Sequence, residues 1–375
     1  MYRVIELGHI VAGPTAGLIL AELGFEVIKI EKPGTGDISR NLSGQSAGSF
    51  PYYNRMKKSV TLNLKSEAGV GILKKLIEGA DILIDNFSSD FLRNLNLDYE
   101  RIHEINPRLV YVTIRGYRSN GGVERKSLDY PIEIDSGIAF MTGLNNRPMR
   151  VGASLVDMFS ASMAVIGIYR ALLDREVTGE GTAIDSSLFQ NAMFMIGQHI
   201  ATYQVTGRDL DPINESGFAW GIYDFFNTAD RERIFIAVTT DDQWNKFSGL
   251  LGLSMDYREK YRTNRIRFEN RDVLIPELQA IIEKFDSKAM EELLKKEGIV
   301  YSFLRRPWDL LKDPQAVQFM NTVNVSGRKM YMPPVPVSEK RDEYVPTLGE
   351  NNIEVLKSLG YGDHEISDFT RDGVI

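Results

Sequence analysis

The stretch RVIELGHIVAGPTAGLILAELGFEVIKIE, residues 3–31, decides the fold. Its two apolar ends, Arg3–Leu7 and Glu26–Glu31, are typical of strands, and the residues between them predict a helix over 14–23 that ends at Gly24. A strand, a glycine-rich turn, a helix and a second strand form the repeating unit of a parallel sheet. This stretch therefore predicts an α/β protein.

The same alternation continues through the first half of the chain. It predicts helices over 66–78 and 99–105 and strands over 81–87 and 109–114. Near-continuous apolar strands separated by helices indicate a mostly parallel sheet that is covered on both faces. We therefore expect a Rossmann-like large domain.

Two polar segments rich in Gly and Pro indicate that the chain leaves this domain and returns to it. Residues 206–221 predict an outgoing linker, and residues 316–345 predict a returning linker without regular structure. The residues between them, 222–315, combine apolar runs with several amphipathic helices, which indicates a small α+β domain.

The composition excludes several classes of protein. The 375 residues include 44 Lys plus Arg, 51 Asp plus Glu (a formal charge of −7) and 43% hydrophobic residues, enough for a sizeable core. No long basic run is present for nucleic acid, and the absence of cysteine excludes disulfides, thiolate nucleophiles, zinc ribbons and iron–sulfur clusters. The apolar run 155–173 contains Asp157 and Arg170, so we expect a buried helix rather than a membrane span, in a soluble, cytoplasmic protein without a signal peptide.

Few residues match a known catalytic motif. The four histidines are widely spaced and form no HExxH pattern, and no GxSxG motif is present, so neither a metal site nor a hydrolase triad is indicated. The turn after the first strand, GHIVAGPTAG, contains three glycines but no GxGxxG. It is either a helix N-terminus that binds phosphate or carboxylate, or a plain strand-to-helix turn.

Asp157 stands at the start of the most apolar helix, in the run VGASLVDMFSASMAVIG. An Asp at such a position often caps the first N–H groups of the helix. A carboxylate flanked by apolar side chains is also partly desolvated, which makes it a better nucleophile or base than one in water. The two roles are compatible, and the residues alone leave both open.

Basic residues cluster after the predicted strands of this acidic chain. They are Lys32, Arg40, Arg55, Lys57, Lys58 and Lys65. Surface lysines are usually only solvated, but ligands of parallel sheets bind at the carboxyl ends of the strands. The cluster is therefore either a solvated surface or the site of an anionic cofactor with a nucleotide end.

Seven segments spread over nearly the whole chain carry a family resemblance. They are VIELGHIVAGPTAG, LAELGFEVIKIEKPGTGD, NRMKKSVTLNLKSEAG, ADILIDNF, INPRLVYVTIRGY, ALLDREVTGEGTAIDSSLFQNA after the Asp157 helix start, and PTLGENNIEVLKSLGYGDHEI. Each is modest by itself, but seven in the same order are specific. The sequence resembles the family III CoA-transferases, which include formyl-CoA transferase, carnitine CoA-transferase and alpha-methylacyl-CoA racemase.

The resemblance implies a fold, a reaction and a set of partners. It implies a Rossmann-like large domain built from residues 1–205 and 346–375, a small domain, and two chains interlocked in a homodimer. The implied substrates are an acyl-CoA and a small carboxylic acid, with coenzyme A, no metal, no nucleic acid and no membrane. Asp157 stands where the transferases have an aspartate that attacks the thioester, which implies a covalent aspartyl intermediate.

The resemblance also implies a CoA site. The family's CoA-contacting positions correspond here to His9, Val11, Ala12, Lys32, Leu62, Lys65, Asn86, Phe87, Lys126 and Asp129. Lys32 and Lys65 are expected to meet phosphates, and turn residues such as Val11 to contribute mainly backbone groups. Arg93 lies one place before the position of a family arginine.

Two departures from the family pattern bear on the reaction. The racemases have a histidine in a Gly-His-Asp segment, where this chain has Ser127-Leu128-Asp129. Leucine cannot move a proton, which favours transfer over racemisation. A racemase with an unrecognised second base, or a CoA-binding protein without catalysis, is the alternative. The tetraglycine loop of formyl-CoA transferase corresponds to NESGFAWG, with only Gly217 and Gly221, so oxalate and formate are not the expected acids.

Overall fold

The structure, a computed structural model, describes residues 1–87, 89–118, 125–216, 219–339 and 341–375. These residues form two compact units. The first consists of Met1–Thr142, Pro148–Leu210 and Gln315–Ile375, and the second of Gly143–Arg147 and Asp211–Pro314.

The first unit is built on a six-stranded sheet. Its strands are β1 (Arg3–Leu7), β2 (Glu26–Glu31), β3 (Lys58–Thr61), β4 (Ile82–Asp85), β5 (Val110–Arg115) and β6 (Ala183–Ser187). They lie in the order β3-β2-β1-β4-β5-β6, and every neighbouring pair is parallel. The strand order reverses between β1 and β4, and ligands of such sheets bind at the carboxyl ends beside the reversal. The predicted α/β class with a large parallel sheet is confirmed.

Helices cover both faces of this sheet. They are α1 (Ala12–Glu22), α2 (Ser49–Tyr53), α3 (Glu67–Glu78), α4 (Ser89–Asn94), α5 (Tyr99–Ile105), α6 (Asp129–Ser136), α7 (Ile138–Thr142), α8 (Leu155–Thr178), α9 (Leu188–Met195) and α10 (Gly197–Thr206), with 3-10 turns at Ile38–Asn41 and Gly44–Ser46. α1 and α8 pack together on one face. On the other face α3 and α5 contribute Ile72, Leu76 and Ile102 to a core that also contains Ile5 and Leu83.

Most predicted elements of this unit are present with shifted ends. β1, β2 and α5 have the predicted bounds, whereas α1 begins two residues before the predicted 14–23. The pattern of residues 188–204 predicts one helix, but the structure has two helices there, α9 and α10, separated at Ile196. Ser66 caps α3, because its hydroxyl accepts a hydrogen bond from the N–H of Gly69 at 3.1 Å.

The second unit has an antiparallel sheet and a core of its own. Its strands are β7 (Ile222–Asn227), β8 (Arg233–Val238) and β9 (Val300–Phe303), and its helices are α11 (Ile213–Ser216), α12 (Asp241–Leu250), α13 (Met255–Lys260), α14 (Asn264–Glu269), α15 (Arg271–Ile282) and α16 (Ser287–Glu297), followed by a 3-10 turn at Pro307–Lys312. The strand order is β7-β8-β9. Trp244, Phe247 and Leu278 are fully buried in its core.

Residues 316–345 differ from the prediction of a linker without regular structure. This part of the chain contains α17 (Pro314–Val317), β10 (Asn321–Val325), β11 (Arg328–Met332) and β12 (Asp342–Tyr344), and the strands form a sheet in the order β11-β10-β12. The cause is tertiary, because the buried Arg55 lies 2.6 Å from Glu343 of β12 and also pairs with Glu22 of α1.

The end of the chain closes one edge of the large sheet. It forms α18 (Asn352–Ser358) and α19 (Asp363–Arg371). The side chains of Asn351 and Asn352 accept hydrogen bonds from the backbone N–H groups of Ser59 and Thr61 in β3, at 2.9 and 2.8 Å. β3 escapes prediction from the sequence because it is four residues long and depends on these distant partners.

Candidate active site

The carboxyl ends of β1 and β4 bring three of the predicted CoA-site residues together. Asn86 Oδ1 accepts a hydrogen bond from the backbone N–H of His9 at 2.9 Å, and Asn86 Nδ2 donates to the carbonyl of His9 at 3.2 Å. The His9 ring stacks on Phe87 with ring centroids 5.2 Å apart. Because burial lowers the pKa of His9, its ring is neutral at pH 7 and offers no charge to a phosphate.

The other predicted residues of this turn divide into buried and exposed groups. Val11 and Ala12, at the start of α1, are buried, as is Leu62. Lys32 and Lys65 are exposed, and they follow the carboxyl ends of β2 and β3. The carboxyl ends of parallel strands lie at the same edge of a sheet, so both lysines follow strands that end at the edge that carries His9.

A buried ionic network lies beneath the turn. Lys29 Nζ lies 3.0 Å from Glu6 Oε1 and 2.9 Å from Asp37 Oδ2, and Lys57 Nζ lies 2.7 Å from Glu6 Oε2. Burial opposes ionisation of Asp37, but the charge of Lys29 and further hydrogen bonds lower the pKa of Asp37 to about 2. Two cations balance two anions, and we call these four residues the ionic network.

The structure corrects the interpretation of the basic cluster as one ligand site. Arg55 and Lys57 are fully buried and paired with acids of the protein, so they are not available to a ligand. Arg40 pairs with Glu31 at 2.7 Å, and Lys58 pairs with Glu26 at 2.7 Å. These basic residues serve the fold and do not form a ligand site. Lysine and arginine are buried only when they are paired with acids.

Asp157 lies in the first turn of α8 and does not cap it. The helix begins at Leu155 with Ser154 as its N-cap residue, so Asp157 is the third helical residue. The N-cap interpretation left open by the sequence is therefore wrong. Its side chain is partly exposed, and in the described part of the chain its carboxylate oxygens accept no hydrogen bond. This leaves the carboxylate free to meet a substrate.

The surroundings of Asp157 make its ionisation difficult. Burial is the largest cause and the negative charge of Asp129 the next, and together they raise the pKa of Asp157 from 3.8 to about 7, while Arg150 opposes the shift. A large share of Asp157 is therefore protonated at neutral pH, and the ionised form lacks much of its solvation. Such a carboxylate is more reactive than one in water.

Asp129 holds the backbone of Asp157. Its Oδ1 accepts a hydrogen bond from the Asp157 N–H at 3.0 Å, and its Oδ2 lies 3.0 Å from Arg150 Nη2. Asp129 is 5% exposed, so this predicted CoA contact has partners inside the protein instead of an open surface. Glu133, one turn later in α6, is fully buried beside it. We call Asp129, Glu133, Arg150 and Asp157 the acidic cluster.

Tyr53 connects the acidic cluster with α2. Its hydroxyl lies 3.9 Å from Met158 Sδ, next to the nucleophile candidate. Burial, and then the charges of Tyr52, Asp157 and Asp129, raise the pKa of Tyr53 to about 12, so the hydroxyl keeps its proton and remains a donor.

The remaining predictions fall around these groups. Lys126 is exposed, and Leu128, at the position of the racemase histidine, is 65% exposed. Arg93 lines a surface cavity of about 420 Å³ together with Arg115 and Arg118. Gly217 lies outside the described residues.

Sequence reasoning missed Glu133, Arg150 and Tyr53. One signal was available for Glu133, because Asp129 and Glu133 are four residues apart, a spacing that places two side chains on one face of a helix. Arg150 and Tyr53 come from a loop and a short helix, and only the tertiary structure brings them to Asp157.

The chain matches the family described as CoA-transferase family III over residues 2–352. It therefore belongs to this family, and the prediction made from the seven segments is confirmed. The match covers the second unit and the first unit up to residue 352, including the acidic cluster and the His9 turn.

Named relatives span nearly the whole chain. The human succinyl-CoA:glutarate CoA-transferase is 28% identical over 391 residues, covering 100% of this chain and 89% of the relative. The acetyl-CoA:oxalate CoA-transferase of Acetobacter aceti is 29% identical over 369 residues, covering 95% and 94%. Among solved structures, a CAIB/BAIF family protein from Brucella suis is 29% identical, with a TM-score of 0.84 over 96% of this chain and 98% of that chain. The chain is a CoA-transferase, and coenzyme A is part of its substrate.

Proposed function

We propose that this enzyme moves CoA from an acyl-CoA to a free carboxylic acid with Asp157 as its nucleophile. One observation carries the proposal: the carboxylate of Asp157 is partly exposed, without a hydrogen-bond partner in the described chain, and has a pKa raised to about 7. Acidic residues with a structural role are usually paired with a cation or cap a helix. Among the described residues, Asp157 does neither.

The proposed reaction has four steps at Asp157. An oxygen of its carboxylate attacks the thioester carbonyl, and CoA thiolate leaves, giving a mixed anhydride. The thiolate attacks the side-chain carbonyl carbon of Asp157, which releases the first acid as a carboxylate and forms an aspartyl-CoA thioester. An oxygen of the acceptor carboxylate displaces CoA thiolate from this thioester, and the thiolate then attacks the acceptor carbonyl, which yields the new acyl-CoA and frees Asp157.

Neighbouring side chains suit this sequence. The Tyr53 hydroxyl is a donor beside Asp157 and is available to the oxyanions that form there. The Arg150 side chain is 48% exposed and contacts Asp129 through Nη2 alone, so the rest of its guanidinium is available to an anionic acid. A carboxylate acceptor needs such a cation, because it must approach an acidic cluster.

The exposed lysines support a CoA site at the carboxyl edge of the sheet. In our proposal Lys32 and Lys65 meet phosphates of CoA, the backbone at Val11 and Ala12 borders the ligand, and His9, Leu62, Asn86 and Phe87 shape the turn around it. Lys126 reaches the same ligand from the segment before α6. A lysine binds phosphate as a point charge, which suits flexible, exposed side chains.

The acceptor we propose is a short dicarboxylic acid. The relatives named above act on succinyl-CoA with glutarate and on acetyl-CoA with oxalate. Oxalate therefore belongs among the acids to test, although the sequence argument from Gly221 and its neighbours disfavours it.

An exposed apolar surface supports the proposed homodimer. α8 is long and apolar enough to span a membrane by length and composition alone, a test that core helices of soluble proteins also pass. Leu173 and Val177 of this helix are 68% and 88% exposed, and Phe194 of α9 is 74% exposed. We propose that a second copy of the chain covers this surface in an interlocked homodimer in the cytoplasm.

The test is a CoA-exchange assay with labelled acids and the full chain. Succinyl-CoA is incubated with labelled oxalate, glutarate or acetate, and labelled CoA esters are counted for the wild type, D157A and the control D174A, an exposed acid of the same helix. We expect D157A to lose at least about a thousandfold in rate and D174A to keep its activity. Hydroxylamine is expected to convert the thioester of the wild type to a hydroxamate on Asp157.

Two results would overturn the proposal. One is transfer by D157A at the wild-type rate, and the other is a hydroxamate on a different residue. Exchange of the substrate's alpha proton with deuterated solvent, without transfer to any acid, would indicate a racemase instead.

A further inference from the structure

A buried carboxyl group that the proposed reaction does not use lies behind Asp157. Glu133 is four residues after Asp129 in α6, so both side chains lie on one face of the helix. Glu133 is 0% exposed and Asp129 is 5% exposed. Two carboxyl groups thus lie close together in the interior. Ionising both of them there is energetically unfavourable, because like charges repel at short range.

The hydrogen bonds of the pair are unequal. Both oxygens of Asp129 act as acceptors, one from the Asp157 N–H and one from the Arg150 guanidinium, each at 3.0 Å. Glu133 Oε2 accepts a hydrogen bond from the Val151 N–H at 2.9 Å, but Glu133 Oε1 is buried without a hydrogen-bond partner among the described residues. A proton on Oε1 would turn this unsatisfied acceptor into a donor.

We propose that Glu133 carries a proton in the working enzyme and donates it to Asp129, so that Asp129 stays a carboxylate and holds the backbone of Asp157. The inference rests on the proposed role of Asp157 as nucleophile. Glu133 acts through Asp129 and is a positioning residue. The balance is simple: one proton lies between the two carboxyl groups, and the guanidinium of Arg150 neutralises the charge that remains.

Within the part of the chain that the structure describes, no cation forms an ion pair with Glu133. Arg150 Nη2 donates to Asp129 and, at 3.3 Å, to Ser154 Oγ, and among the described residues no N–H of Arg150 donates to Glu133. α7 (IAFMT) and α9 (LFQNAMFM), which pack against α6, contain no charged residue. α8 contributes the acid Asp157 at its start. Burial, aided by Asp129 and opposed by the Val151 N–H and by Arg150, raises the pKa of Glu133 to about 7.

The inference predicts an alkaline limit to activity. Above neutral pH, loss of the proton leaves two adjacent carboxylates behind Asp157, and the hydrogen bond that fixes its backbone weakens. Because ionisation of Asp157 raises the rate over the same range, the wild-type profile of kcat against pH is expected to be bell-shaped, with macroscopic pKa values that belong to the coupled groups.

E133Q tests the role of the proton directly. Gln supplies an N–H donor toward Asp129 and an oxygen for the Val151 N–H, and it cannot titrate. We expect E133Q to match the wild type near pH 6.5 within about twofold and to exceed it by roughly tenfold at pH 9, because the falling limb is absent. E133L lacks the hydrogen-bond donor toward Asp129, and it is expected to be slower than E133Q at every pH by roughly tenfold.

D135N is the matched control, an exposed acid on the same helix that pairs with Arg125. It is expected to keep the bell-shaped profile. An E133Q profile with the wild-type falling limb, or equal rates for E133L and E133Q, would overturn the inference.

A second measurement reports the proton without relying on activity. The infrared difference spectrum of the full-length D157N variant between pH 6 and pH 9, to which residue 157 cannot contribute, is expected to show a carbonyl band of a protonated carboxyl group that is absent in the double variant D157N/E133Q. If D157A remains active while this band persists, the proposed nucleophile fails and the shared proton stands. If D157A is inactive and D157N lacks the band, the shared proton alone fails.

Discussion

The ionic network and the acidic cluster lie in the same compact unit and are built in opposite ways. The network balances two buried cations with two buried anions, and the pKa of its Asp37 is lowered to about 2. The cluster sets three carboxyl groups against one guanidinium, and the pKa of its Asp157 is raised to about 7.

The difference separates a scaffold from a reactive site. Balanced charges stay ionised and fix the turn that precedes α1, since each has a partner of opposite sign. Unbalanced charges make ionisation of Asp157 unfavourable, and in our proposal this unfavourable state is the one that attacks the thioester. Each of the following predictions disturbs one side of this comparison.

The largest expected effect comes from unbalancing the network. K29M removes the cation that lies within 3.0 Å of both Glu6 and Asp37, and it leaves two buried acids with only Lys57. We expect the free energy of unfolding of the first unit to fall by about 3–5 kcal/mol. Urea unfolding followed by far-UV circular dichroism at pH 7 measures the loss.

K58M is the matched control for this change, because Lys58 is 26% exposed and its acids, Glu26 and Glu354, lie nearer the surface. It is expected to cost less than about 1 kcal/mol. Equal losses in the two variants would mean that burial and charge balance do not distinguish the network from a surface pair.

A smaller effect is expected from removing the unfavourable charge of the cluster. The unfolded chain ionises Asp157 near pH 4, whereas the folded chain ionises it only near pH 7. Ionisation therefore destabilises the folded state above pH 7 and has no such effect below pH 4. D157N is expected to raise the free energy of unfolding by about 1–2 kcal/mol at pH 8, after allowance for partial exposure, and by much less at pH 5.

The matched control is D174N on the exposed side of α8, where Asp174 pairs with Arg170. It is expected to give no gain at either pH. A gain for D157N that is equal at pH 5 and pH 8 would show that the amide acts by packing and that charge plays no part.

The smallest effect is expected at the exposed lysines, which contrast with the buried Lys29 and Lys57. K32A and K65A are each expected to weaken CoA binding by about 0.5–1 kcal/mol, or two- to fivefold, with stability unchanged. Isothermal titration with CoA measures this, and K296A, an exposed lysine of α16, serves as the control. Loss of stability without loss of affinity would assign these lysines to the scaffold instead.

Local patterns predicted most of the large sheet but little of its connections. β1 and β2 have the predicted bounds, because an apolar run next to a turn residue is a local signal. The sequence shows a glycine at position 17 but not why a glycine is needed there. The structure explains it, because a Cβ atom at this position would come within 1.9 Å of Glu6 Oε2. The strands of residues 316–345 depend on Arg55, far away in sequence.

The same division holds within the candidate site. Asp157 was identified as a reactive candidate from its position in an apolar run and from the family resemblance. Its hydrogen bond to Asp129 spans 28 residues, and the neighbouring Tyr53 comes from another helix altogether. Neither contact has a local signature, so the sequence indicated the proposed nucleophile without the residues that surround it.

The sequence by itself determined the class of fold, the alternation of strands and helices in most of the large sheet, the family and the acid at the start of α8, because hydrophobic period, turn residues and motif order are properties of neighbouring positions. The tertiary structure decided which charges are neutralised. Arg55 and Lys57 became part of the interior, and Asp157 kept a free carboxylate with a raised pKa. Burial and ion pairing depend on distant residues, and they decide whether a charged side chain supports the fold or reacts.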